Sequence, residues 1–111
     1  MGMRFQVKSD CAHGAFESWL GEAIEAVSKC DLIIYQAGAD PHEDDPYGGM
    51  LTSRQMAERD RRVFEGLEQR PLVWNLAGGY QVDGDLPFPQ RIEAVLELHR
   101  ETARWHAKIR G

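Results

Sequence analysis

The chain has 111 residues, 42% hydrophobic and 28% charged, with 13 Lys and Arg against 18 Asp and Glu. That size suits one small domain or a piece of a larger one, and a formal charge of −5 without a basic cluster argues against nucleic acid or an anionic membrane as partner. No window approaches the run of about 18 apolar residues that a membrane span needs.

Met1-Gly2-Met3-Arg4 has no hydrophobic stretch behind it, so no secretory signal is expected. Cys11 and Cys30 make neither a disulfide framework nor a Cys-x-x-Cys motif. Two free thiols in a reducing cytoplasm are the expectation.

In chain order, Arg4-Phe5-Gln6-Val7-Lys8 alternates and reads as a short strand. Phe16, Trp19, Leu20, Ile24 and Val27 recur at steps of three, four and seven to eight, the pattern of an amphipathic helix. Leu32-Ile33-Ile34-Tyr35 is a continuous apolar run, which suits a parallel strand buried on both faces. A polar loop rich in Asp, Pro and Gly follows from Gly38 to Gly49.

Thr52 then precedes Gln55 by three, a capping box that opens a helix with Met56, Val63, Phe64 and Leu67 as its buried stripe. The Arg59-Asp60-Arg61-Arg62 run reads as a solvated helix face with local ion pairs. Pro71-Leu72-Val73-Trp74-Asn75-Leu76 is a second strand, closed by Gly78-Gly79. Pro89 suits the first turn of a last helix whose Ile92, Val95, Leu96 and Ala103 share one face. Trp19, Trp74 and Trp105 read as core or interface anchors.

The order α-β-α-β-α predicts an α/β layer with a parallel sheet, its strands side by side through right-handed crossovers. Asp40 and Tyr80 then fall just past the C-terminal ends of their strands, the edge where open α/β sheets form ligand sites.

Two segments carry chemistry. In Gln36-Ala37-Gly38-Ala39-Asp40-Pro41-His42-Glu43-Asp44-Asp45-Pro46, a carboxylate and an imidazole two residues apart can ligate one metal if the loop turns suitably. Taken alone that signal is weak, since such a loop is more often a turn whose carboxylates cap backbone N–H groups or face water. In Asn75-Leu76-Ala77-Gly78-Gly79-Tyr80-Gln81, paired glycines let the backbone turn sharply or approach a ligand, and the tyrosine can donate its hydroxyl to an oxyanion. The plain alternative is a tight turn followed by a packing aromatic. His13, His99 and His106 are assigned no function, and His99 reads as a hydrogen-bonded packing residue.

Taken together, Leu32 to Asp40, His42, Asp45-Pro46-Tyr47-Gly48-Gly49, Leu51-Thr52, Arg59-Asp60 and Gly78-Gly79-Tyr80 resemble the histone deacetylase superfamily, including bacterial acetoin-utilisation-type members. The resemblance covers about residues 16–105 of a single partial domain, 1–111, and concerns that family's C-terminal part. It implies a three-layer, parallel-sheet, arginase-like fold in partial form. It also implies Asp40 as a zinc carboxylate, Tyr80 as the catalytic tyrosine at the substrate carbonyl, and Gly78 and Gly79 beside the substrate. The implied cofactor is zinc, and the implied substrates are acyl-lysine or acetylpolyamine-type amides. In that pattern His42 belongs to the loop and is not a ligand.

The departures matter as much. The family pattern requires a tandem His-His pair and an earlier Asp-x-His, and neither occurs here, since Asp40-Pro41-His42 already fills the later ligand position. A catalytic zinc normally takes three protein ligands plus water. The expectation is therefore a zinc amidohydrolase portion, inactive alone and lacking an N-terminal part. The alternative is a non-catalytic binding or assembly domain derived from the family. A third reading builds a metal site from Asp40, His42 and Asp44 or Asp45 across a symmetric interface. Uncovered sheet surfaces would favour a homo-oligomer.

Overall fold

A computed structural model describes residues 13–82 and 84–111, so the expected strand over residues 4–8 lies outside the described residues. The order is α1 (His13–Val27), β1 (Ile33–Gly38), α2 (Ser53–Gly66), β2 (Leu72–Ala77), a 3-10 turn (Gln90–Ile92) and α3 (Glu93–Ile109). It is the α-β-α-β-α order read from the periodicities. β1 and β2 pair in parallel, in register from Ile33 opposite Leu72 to Gly38 opposite Ala77. β1 runs past the apolar stretch because Gln36-Ala37-Gly38 continue the ladder. The Ala39 amide then donates to the Ala77 carbonyl at 2.9 Å.

α2 starts where its cap dictates. The Thr52 side chain accepts from the Gln55 amide at 3.1 Å, and the Gln55 side chain accepts from the Thr52 amide at 3.0 Å. Two donors of the first turn that would otherwise lack an intrahelical partner are thus satisfied reciprocally. The core joins Phe16 and Leu20 of α1, Ile33 of β1, Met56 and Val63 of α2, and the flanking Leu51 and Leu67. Phe64, fully buried, sets its ring edge-on against Tyr35, Trp74 and His106. His106 is therefore a packing residue.

Three expectations are corrected here. The strands are not buried on both faces: Ile34 is 73% and Val73 55% exposed. Ile33, Tyr35 and Trp74 face the helices, whereas Ile34, Gln36, Val73 and Asn75 alternate onto the opposite, open face. Next, Pro89 precedes a 3-10 turn, and α3 begins only at Glu93. Along α3 the buried positions are Val95 and Thr102, seven apart, while Ala103 is exposed. The Thr102 hydroxyl is drawn inward by Asp60, to which it donates at 2.5 Å, and that rotates the buried stripe by one residue.

The third correction concerns the charged run on α2. Arg59 and Asp60 are buried, and only the later part of the run faces outward. Asp60 accepts from Arg59, from the Tyr35 hydroxyl and from Thr102, while Arg59 donates to the Gly38 carbonyl at 2.8 Å. Burial pushes the Tyr35 phenol well above its ordinary pKa, so Tyr35 remains a donor. Arg61, by contrast, pairs with Glu58 and Glu65 at helical spacing, as a solvated face should.

Candidate functional site

The loop after β1 is held by its own backbone. Pro41 O accepts from the Met50 and Leu51 amides at 3.1 and 2.8 Å, and His42 O accepts from the Asp45 and Gly49 amides at 3.0 and 2.9 Å. His42 is buried within it. Its Nδ1 accepts from the Asp44 amide at 3.1 Å, which leaves Nε2–H to donate to Ser53 Oγ at 2.8 Å. Both ring nitrogens are thus engaged, and the loop is pinned to the first turn of α2.

Asp40 follows β1 by two residues and sits against the loop after β2. A Cβ built on Gly78 would collide with Asp40 Oδ1, and Gly78 has φ +56, a conformation that L side chains rarely adopt. The glycine is what lets the two loops meet. Gly48 makes a similar close approach, since a Cβ there would overlap the Asp40 carbonyl oxygen. Gly79 packs between Ala39 and Val95.

Tyr80 is half-exposed, with its ring edge-on to Tyr47 at 5.1 Å between centroids. Its amide donates to the buried carboxylate of Asp45, Oδ2, at 2.8 Å. Asp45 Oδ1 accepts from the Tyr47 amide at 2.8 Å. His99 of α3 faces the same turn: burial pulls its pKa below the usual value, against the opposing pull of a hydrogen bond with the Gly78 backbone.

Asp40, Gly78, Gly79 and Tyr80 therefore lie on one rim, at the C-terminal ends of both strands. They do not share one enclosed pocket. Asp40 borders an apolar groove of about 430 Å³ along α1 and β1, with Trp19, Leu20 and Ile34. Tyr80 borders a separate open depression of about 770 Å³ beside Asp44, Pro46 and Arg91.

The histone deacetylase domain model matches residues 2–100. The chain belongs to the histone deacetylase family. No curated protein and no solved structure matches it. The family relation agrees with the small α/β fold, whose two-stranded parallel sheet is that of a partial deacetylase-like domain.

Deacetylase-family proteins generally depend on zinc. Among the described residues, however, no group of three or more His, Cys, Asp or Glu side chains is gathered that could hold a metal ion. Asp40 offers a carboxylate, but His42 is committed to Ser53 and Asp44, and Asp45 to two backbone amides. The described donors do not fit a three-ligand catalytic zinc site. Nor, among the described residues of one chain, do Asp40 and His42 gather with Asp44 or Asp45 into such a group.

Sequence reasoning misses two supporting residues. Arg59 reads as part of a solvated face, although positions 56, 59, 60 and 63 fall on one helical stripe. Asp45 reads as a turn carboxylate, which describes its bond to Tyr47. Its bond to Tyr80, 35 residues away, has no local signal.

Proposed function

We propose that this chain carries one rim of a deacetylase-type amidohydrolase site and is not a complete hydrolase alone. The reading is supported by the close fit of Gly78 against the Asp40 carboxylate, which joins both family motifs at one sheet edge. In this proposal Asp40 offers a carboxylate to zinc, Tyr80 offers its hydroxyl to the substrate carbonyl, and Gly78 and Gly79 flank the substrate. Zinc, when bound in a completed site, would supply Lewis-acid and hydrolytic chemistry. The substrate class is an acyl-lysine or acetylpolyamine-type amide.

The purified chain, supplied with zinc salt and a fluorogenic acetyl-lysine amide, is expected to retain no stoichiometric zinc and to give no turnover. Stoichiometric zinc with turnover abolished by Asp40→Ala would overturn the incomplete-site reading. Supplying a family segment that bears His-His and Asp-x-His should restore hydrolysis, and Tyr80→Phe should then lower kcat by about 100-fold or more, the scale for loss of an oxyanion donor. Failure of every such complement would favour the alternative, a non-catalytic binding or assembly domain.

The open face bearing Ile34 and Val73 supports a second part of the proposal, a homo-oligomer. Sedimentation at micromolar concentration should give a species larger than a monomer. A monomer there, in the unaltered chain, counts against self-association.

A further inference from the structure

The loops carrying Asp40 and Tyr80 are fixed in different ways. The first is braced by the paired amides on Pro41 O and His42 O and by the His42–Ser53 bond. The second turns through Gly78 and Gly79, both at positive φ, where backbone freedom is greatest. A tyrosine following such a turn needs an external restraint if its hydroxyl is to stand in one place.

The restraint is Asp45. Asp45 is 5% exposed and has no ion-pair partner among the described residues. One oxygen accepts the Tyr47 amide and the other the Tyr80 amide, each at 2.8 Å. Charge-assisted bonds of this kind are roughly twice as strong as neutral ones, and both oxygens of a buried carboxylate require such donors. The rings above these two amides meet edge-on at 5.1 Å. Both members of the Tyr47–Tyr80 pair thus hang from a single carboxylate, itself rooted in the braced loop.

We infer that Asp45 is a positioning residue: by holding the main chain of Tyr47 and Tyr80 it sets where the Tyr80 hydroxyl stands over the Asp40 rim. The inference rests on the proposed role of Tyr80 at the substrate carbonyl, but it is tested without turnover. Asp45→Asn keeps the shape, yet an amide group can present its oxygen to only one of the two N–H donors.

Amide hydrogen exchange and ring-to-ring nuclear Overhauser effects, measured on the full chain, read the two halves of the claim. In Asp45→Ala the Tyr80 amide should exchange at least tenfold faster, and in Asp45→Asn the Tyr47 or the Tyr80 amide should, while the β1–β2 ladder amides stay unchanged. The Overhauser effect between the Tyr47 and Tyr80 rings should disappear in the same variants. Unchanged Tyr80 protection in folded Asp45→Ala overturns the inference, and so does Asp45→Asn with the Tyr47 and Tyr80 amides both still protected. So does faster exchange with the ring-to-ring effect intact, since Asp45 would then hold backbone without steering the tyrosine. Should both variants fail to fold, the unaltered protein decides: a Tyr80 amide exchanging like an unprotected peptide overturns the inference, and a protected one supports it. None of these outcomes depends on hydrolysis, so a failed complementation assay leaves them interpretable.

Discussion

Asp60→Ala is expected to cost about 3–5 kcal/mol, the scale for breaking a buried ion pair by removing one partner. Asp60 is 2% exposed and accepts from Arg59 Nε and Nη2 at 3.1 and 3.0 Å, from Thr102 Oγ1 at 2.5 Å and from the Tyr35 hydroxyl. Alanine leaves a buried guanidinium without its counter-charge and the Tyr35 hydroxyl without its acceptor, while Thr102 keeps the Leu98 carbonyl at 3.3 Å. A domain of this size has about 5–15 kcal/mol in total, so the loss takes from about a fifth to all of it.

Urea titration followed by tryptophan fluorescence measures the loss. Asp60→Asn, which keeps an oxygen acceptor, should lose less. A loss below about 1 kcal/mol for alanine would mean that water reaches Arg59, in conflict with its burial. The effect also propagates toward Asp40, because Arg59 grips the Gly38 carbonyl at the end of β1.

The second large effect is Phe64→Ala, also expected at about 3–5 kcal/mol. Phe64 has no exposed surface, and its ring meets Tyr35, Trp74 and His106 with centroids 5.7, 6.1 and 5.6 Å away. It is the side chain through which α2 holds both strands and α3 together. Truncation strips apolar packing from all three neighbours and leaves a cavity that rigid strands cannot collapse to fill. Phe64→Leu should recover much of the loss. Because Trp74 borders the cavity, its emission should shift before the global transition, a signature absent from Asp60→Ala.

These two residues differ in how visible they are in the sequence. Phe64 falls on an apolar stripe with Met56, Val63 and Leu67, so helical periodicity finds it. Asp60 occupies the same stripe but is charged, and patterning that counts apolar residues assigns it to water. Its burial depends on Tyr35, Arg59 and Thr102 converging from three elements, which no single window contains. Thr102 shows the same failure from the other side, since its hydroxyl displaces the apolar Ala103 from the buried position.

Local chemistry is the legible part of the fold. The Thr52–Gln55 cap and the strand ends before Asp40 and Tyr80 all follow from residues within a few positions of each other. The open sheet face does not follow, because Leu32-Ile33-Ile34-Tyr35 reads the same whether or not anything covers Ile34. At the candidate site, the motifs place Asp40, Gly78, Gly79 and Tyr80 on a common edge. The carboxylate that holds the Tyr80 amide, Asp45, lies 35 residues away, beyond any periodic signal.

The uncovered face carrying Ile34 and Val73 has a consequence for the life of the chain in a cell. Among the described residues nothing pairs with the outer strand edges, and exposed apolar side chains beside such edges are what chaperones and proteases act on. If a second copy or a partner covers this face in the cell, the abundance of the chain is expected to rise and fall with that cover, and pulse-chase turnover measures it.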